Sequence, residues 1–130
     1  MRGDVITHNE ISGQIVDAAL EVHRTLGPGL LESVYQAALA HELRQRGLRV
    51  ETESPLPVVY KGLHFELGFR LDMLVENLVV VELKSVESIS PVHSKQLLTY
   101  LRLADKRLGL HINFNVLLLK DGIKRIANQL

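Results

Sequence analysis

Glu82 and Lys84 stand two residues apart, just after the apolar run Val79-Val80-Val81. On a strand, residues i and i+2 share a face, so two charges follow a segment suited to burial. Burying a charge costs several kcal/mol unless it is paired or binds metal. A salt-bridged pair at a frayed strand end meets that condition, and so does a metal site. Asp72 favours metal. It lies on the face opposite Leu71, Met73 and Val75 in the preceding alternating segment. If residues 76–78 form a three-residue connection, residue numbers paired across the hairpin sum to 154, placing Asp72 opposite Glu82 and Met73 opposite Val81. A two-residue turn would put the two acids on opposite faces, because a one-residue slip flips every side chain. The reading therefore requires an odd-length loop or a bulge. Facing carboxylates about 4–5 Å apart repel by roughly 3–4 kcal/mol at an effective dielectric near 20. A Mg²⁺ or Mn²⁺ site gives a reason to keep them, since hard divalent ions select carboxylate oxygens, carbonyls and water.

The elements that must position these residues follow from periodicity. Thr7 and Glu10 fit a helix-start capping box, and Ile11, Ile15, Ala19, Val22 and Leu26 recur at helical spacing over residues 8–26. Gly27-Pro28-Gly29 breaks that helix, and a second is expected over residues 30–46, stopped by Gly47. Period two then takes over. Residues 48–53 and 56–61 read as short strands, 67–75 as a half-buried strand, and 78–83 as a central strand covered on both faces. Ser90 and Pro91 suit an N-cap and first helical position for a helix reaching residue 105. Leu110, Ile112, Phe114, Val116 and Leu118 alternate as a further strand, and Asp121-Gly122 turns into a last one over residues 123–126. The expected order is α-α-β-β-β-β-α-β-β, an α/β fold with helices packed on a mixed sheet.

Length and composition bound the function. The 130 residues suit one domain, and 46% hydrophobic with 23% charged residues is a globular balance. Without cysteine there is no disulfide framework, thiol nucleophile, zinc ribbon or iron–sulfur cluster. Six histidines without an HxxxH or HxH pair argue against zinc. No P-loop or GxGxxG points to nucleotide-driven chemistry. Lys+Arg and Asp+Glu each number 15, which argues against strong non-specific nucleic-acid binding. With three Phe and three Tyr, no aromatic ladder for stacking single strands is visible. Residues 1–4 lack an apolar signal core and no apolar run approaches 18 residues, so a cytoplasmic protein without a membrane partner is expected.

Asp72, nine residues, then Glu82-Leu83-Lys84 resembles the core motif of the PD-(D/E)XK nucleases, with Leu71 where the eponymous proline often stands. Upstream, Gly29-Leu30-Leu31-Glu32-Ser33-Val34-Tyr35 resembles the GxxExxY motif of a small bacterial family in that superfamily. Downstream, Gln96-Leu97-Leu98-Thr99-Tyr100 is similar to the QxxxY motif of its lambda-exonuclease-like and RecB-like branch. The motifs stand in the expected order from about residue 8 to 128. The resemblance implies a restriction-endonuclease-like sheet and metal-dependent hydrolysis of phosphodiesters, in DNA rather than RNA. It implies Glu32, Asp72, Glu82 and the Leu83 carbonyl as ligands of Mg²⁺ or Mn²⁺. Lys84 would orient water and stabilise charge on the phosphate. Gln96 and Tyr100 would touch substrate or support Lys84, and Tyr35 and His23 would be further substrate contacts.

Each residue also has a plainer reading. Glu32 suits a helix first turn for its charge alone; Tyr35 and Tyr100 suit a core, Gln96 a solvated face, and His23 packing at a helix end. Arg24, Arg70, Lys84 and Lys95 are the candidate backbone contacts, extended by Arg102, Lys106 and Arg107 unless the last two are ordinary helix-end charges. Beside the nuclease stand two alternatives: a catalytically silent nucleic-acid-binding or assembly module, and a purely structural interaction protein. So small a domain would gain specificity from a homo-oligomer or a protein partner.

Overall fold

The computed structural model describes residues 6–130, with side chains everywhere except positions 66 and 67; residues 1–4, read above for a signal core, lie outside it. The first helix, α1 (His8–Leu26), starts where expected: Thr7 Oγ1 accepts the Glu10 N–H at 3.1 Å. The second, α2 (Glu32–Gln45), begins two residues later than the periodicity suggests, because Leu31 is extended and serves as its N-cap. Three strands follow, β1 (Val50–Tyr60), β2 (Leu63–Val75) and β3 (Val79–Lys84). The two short strands expected before residue 62 are one strand, so a four-strand run becomes three. Glu53, at φ 52°, kinks β1 without breaking it. Next come α3 (Pro91–Ala104), β4 (Leu108–Asn113), a 3₁₀ turn and β5 (Ile123–Ala127).

The strand expected to reach Leu118 ends at Asn113. That side chain accepts the N–H groups of Val86 and Asn115 and donates to the Val86 carbonyl, tying the chain to the loop beyond β3. Leu117 consequently stands 90% exposed.

The five strands lie in the order β1-β2-β3-β4-β5, antiparallel except for β3 and β4, which run parallel across the α3 connection. Val79 to Leu83 are all buried, as a strand covered on both faces requires. One face packs on α1 and α2: Met73, Val75, Val79, Val81, Leu83, Leu108, Leu110 and Ile112 meet Ile11, Ile15, Tyr35, Leu39 and Leu43. The other carries α3 over a smaller cluster of Leu56, Leu71, Leu74, Val80, Leu97, Tyr100 and Leu101. Gly109 makes that approach close: a Cβ there would meet Leu97 at 3.0 Å. Alternation along β3 and β4 thus sends Glu82, Lys84, His111 and Asn113 to the α3 side.

Candidate active site

Residues 76–78 form the three-residue connection, with Glu76 and Asn77 at φ 53° and 56° and Leu78 N–H on the Val75 carbonyl. The register pairs Met73 with Val81, Leu74 with Val80 and Val75 with Val79, as the sum of 154 requires. At the next step the acids take over the hydrogen bonding. The Asp72 N–H donates to Glu82 Oε2 at 2.8 Å, and the Leu83 N–H donates to Asp72 Oδ2 at 2.8 Å. Each carboxylate is therefore held by the other strand's backbone, and the pair is interlocked rather than merely adjacent.

The electrostatics are unfavourable, as facing acids should be. Burial first, and then the Asp72 charge, pushes Glu82 up to about 8, against the opposing pull of the Asp72 N–H and of Lys84. Burial also raises Asp72, opposed by the Leu83 N–H; the charge of Glu53 adds to the rise, Lys84 opposes it, and Glu32 adds least. Among the described residues no ion pair includes Asp72, Glu82 or Lys84. The salt-bridged strand end is therefore not what the structure shows.

The row of polar residues extends beyond the pair. Thr52 opposite Met73 and Ser54 opposite Leu71 bracket Glu53 beside Asp72 on β1. On the far side Glu82 pairs with His111, and His111 with Lys124. Glu53 escaped the sequence reading because the kink at that residue looked like a strand end, which hid its register with Asp72. His111 is 1% exposed and its Nδ1 has no partner. Burial, then the charges of Lys84, His93 and Lys124, lowers it to about 4, so it is neutral at pH 7 and leaves Lys84 as the cation beside the acids. Its ring lies 6.3 Å from that of His93, whose Nδ1 accepts the Ser90 N–H at 3.1 Å. Period-two alternation in 108–113 was the signal that would have put His111 on the Glu82 face.

The remaining expected residues divide. Tyr100 sits at the site: it is buried among the α3 cluster, and after desolvation the charges of Glu82 and Asp72 raise its hydroxyl. Gln96 is exposed one turn earlier on α3. Glu32 occupies the exposed first turn of α2, bordering an open cleft of about 530 Å³ with Ser85 and Asn115. The loop before it is fixed at Leu30, whose N–H donates to the Tyr35 hydroxyl at 3.1 Å and whose carbonyl accepts from Ser85 Oγ at 2.8 Å. Tyr35 is not a substrate-facing residue. Its ring is fully buried, stacked on Phe114 at 4.4 Å, and its hydroxyl donates to the Gly27 carbonyl at 2.6 Å; it holds the loop that carries Glu32. His23 is likewise committed, with Nε2 2.8 Å from the Val116 carbonyl. Arg24 pairs with Glu21 at 2.7 Å. Lys106 and Arg107, beyond the end of α3, donate to the Asn77 side chain and the Gln129 carbonyl.

A family model of the PD-(D/E)XK nuclease superfamily matches residues 9–126. The chain belongs to this superfamily. No curated protein and no solved structure matches the chain. The mixed sheet with helices on both sides is consistent with the restriction-endonuclease-like fold of the PD-(D/E)XK proteins. These nucleases generally use divalent metals, and the donor chemistry here suits one. Asp72 and Glu82 offer hard oxygen atoms, each carboxylate is oriented by a backbone N–H, and among the described residues neither Asp72 Oδ1 nor Glu82 Oε1 has a protein hydrogen-bond partner. Among the described residues no three carboxylate or imidazole side chains are gathered as a ligand cluster; Glu32 and Glu53 stand around the pair rather than within it. No helix among the described residues is long and apolar enough to cross a membrane.

Proposed function

We propose that this chain is a Mg²⁺- or Mn²⁺-dependent phosphodiesterase of the GxxExxY type, in the lambda-exonuclease-like and RecB-like branch, cutting DNA in preference to RNA. The observation that carries the reading is the interlocked pair Asp72–Glu82: a half-buried and a buried acid on facing strands, the charge of the first raising the second, with no ion pair to either among the described residues. Asp72, Glu82 and the Leu83 carbonyl would hold the ion, with Glu32 brought in from the α2 first turn. When bound, the metal supplies Lewis acidity and a water acidified towards neutrality. The chain's own residues do the rest. The cross-strand N–H bonds hold both carboxylates in one orientation. Lys84, on their face of β3, orients the attacking water and donates to the phosphate oxygen on which charge grows as the P–O bond breaks. Neutral His111 puts no second cation beside Lys84.

Cleavage of linear and circular, single- and double-stranded DNA and of RNA, with Mg²⁺, Mn²⁺ or EDTA, tests the reading. Metal-dependent cleavage of DNA by the wild type, lost in Lys84→Ala, is the expected result. A silent binding module has one observation in its favour, the position of Glu32 outside the carboxylate pair. It predicts Asp72-dependent Mn²⁺ binding with no turnover on any of these substrates.

A further inference from the structure

Beyond the acid row, β1 and β2 continue as a two-stranded arm. Its end is formed by Tyr60 paired with Leu63, Val59 with His64 and Val58 with Phe65. Tyr60, Leu63, Phe65 and Phe69 are each about half exposed or more, a concentration of apolar area that the α3 cluster does not cover. Between the pairs Leu56–Phe69 and Val58–Phe65 one residue on β1 faces three on β2, and this wide bulge opens a cleft of about 390 Å³. Gly68 is required there, because a Cβ would collide with the Leu56 carbonyl oxygen. The cleft is walled by Pro55, Pro57, Phe65 and Phe69, with His64 and Arg70 at its rim.

We propose that this cleft is a docking site for the unpaired bases of a single nucleic-acid strand whose phosphate lies at the Asp72–Glu82 pair; the inference rests on the nuclease reading and deepens it. Four observations select this occupant. Flat aromatic rings exposed beside the Arg70 guanidinium suit base faces and phosphates together. The Arg70 guanidinium donates to the Glu53 carbonyl at 3.1 Å, which fixes it between the cleft and the acid row. Phe69 lies three residues from Asp72 on the same strand, about 10 Å at strand rise, and its ring is 5.6 Å from that of Tyr100. The arm is thus continuous with the carboxylates. Finally, β1 is an edge strand, but Pro55 and Pro57 lack the N–H groups that a second chain would need to add a strand there. A duplex, its internal bases stacked on each other, offers the rings a base face only at its two ends.

Fluorescence anisotropy in EDTA separates this inference from catalysis. The probes are a labelled oligothymidylate, an abasic strand of the same length and a blunt duplex. The wild type is expected to bind the oligothymidylate roughly 10-fold or more tightly than the abasic strand. The double variant Phe65→Leu/Phe69→Leu, which keeps apolar bulk but removes the rings, should lose that preference and leave abasic binding unchanged. Phe69→Trp should retain it. Equal wild-type affinity for the base-bearing and abasic strands, or an undiminished preference in the leucine variant with an unchanged circular-dichroism melt, would overturn the proposal. So would sedimentation showing a dimer that the leucine variant dissociates. Cleavage without base preference would sink this inference alone, whereas base-dependent binding without cleavage would sink the nuclease reading alone.

Discussion

The two faces of the sheet are made from the same strands to opposite ends. Towards α1 and α2, β3 and β4 present Val79, Val81, Leu83, Leu108, Leu110 and Ile112, every one buried. Towards α3 they present Val80, Glu82, Lys84, His111 and Asn113, with an apolar cluster only at one end. Period-two alternation allows one strand to store stability on one side and chemistry on the other. The acidic side is destabilising when ionised, so stability must come from the apolar side, and the two can be broken separately.

The largest expected effect is on the apolar face. Phe114→Ala would leave a cavity beneath the stacked Tyr35 ring and cost about 3–5 kcal/mol, lowering the melting temperature by more than 10 °C and metal-dependent cleavage only as far as the protein unfolds. On the acidic face the sign reverses. Glu82→Gln removes the buried charge and should raise stability at pH 8 by roughly 1–3 kcal/mol while abolishing cleavage; chemical denaturation beside a nuclease assay reads both.

The pH dependence sharpens the contrast. Glu82 in the folded protein keeps its proton up to about 8, whereas the unfolded group releases it near 4.5. The folded state therefore binds the extra proton between those values, and stability falls as pH rises through that window. His111, lowered to about 4, acts in the opposite sense: stability grows between about 4 and 6.5 and is then complete. The two slopes oppose each other below pH 6.5, leaving a net fall from 6.5 to 8 in the wild type. In Glu82→Gln that limb should be flat, as melting temperature against pH will show. The smallest effect is expected at Tyr35→Phe, which loses the bonds to Gly27 and Leu30 and keeps the stacked ring. It should cost about 1–2 kcal/mol and weaken cleavage by loosening the loop that precedes Glu32.

Much of this was legible in the chain. Hairpin arithmetic placed Asp72 against Glu82 on the condition of a three-residue connection over 76–78, which the acids themselves favoured, since a strand apolar on both faces does not fix its own register. The helix starts followed from Thr7 and Ser90. The parts that escaped depend on side chains acting on backbone. Asn113 ends β4 by bonding to Val86 and Asn115, which alternation over 110–118 does not reveal. The kink at Glu53 disguised one strand as two, concealing both that acid and the length of the arm. The same error hid the aromatics: Tyr60, Phe65 and Phe69 look scattered along the chain and converge only when β1 and β2 run past the bulge. Tyr35 matched a motif by spacing and His23 entered by resemblance alone, but the Tyr35 hydroxyl is taken by Gly27 and Leu30 and His23 Nε2 by Val116, contacts between segments that no local pattern encodes.

The central claim is that the interlocked acids are held apart in energy until a divalent cation joins them. Melting temperature measured with and without Mn²⁺ at pH 5 and pH 8, for the wild type and for Asp72→Asn/Glu82→Gln, addresses it directly. The account predicts a rise with Mn²⁺ in the wild type, larger at pH 8 where Glu82 is ionised, and none in the double variant. No rise in the wild type at either pH, or an equal rise in both proteins, would contradict it.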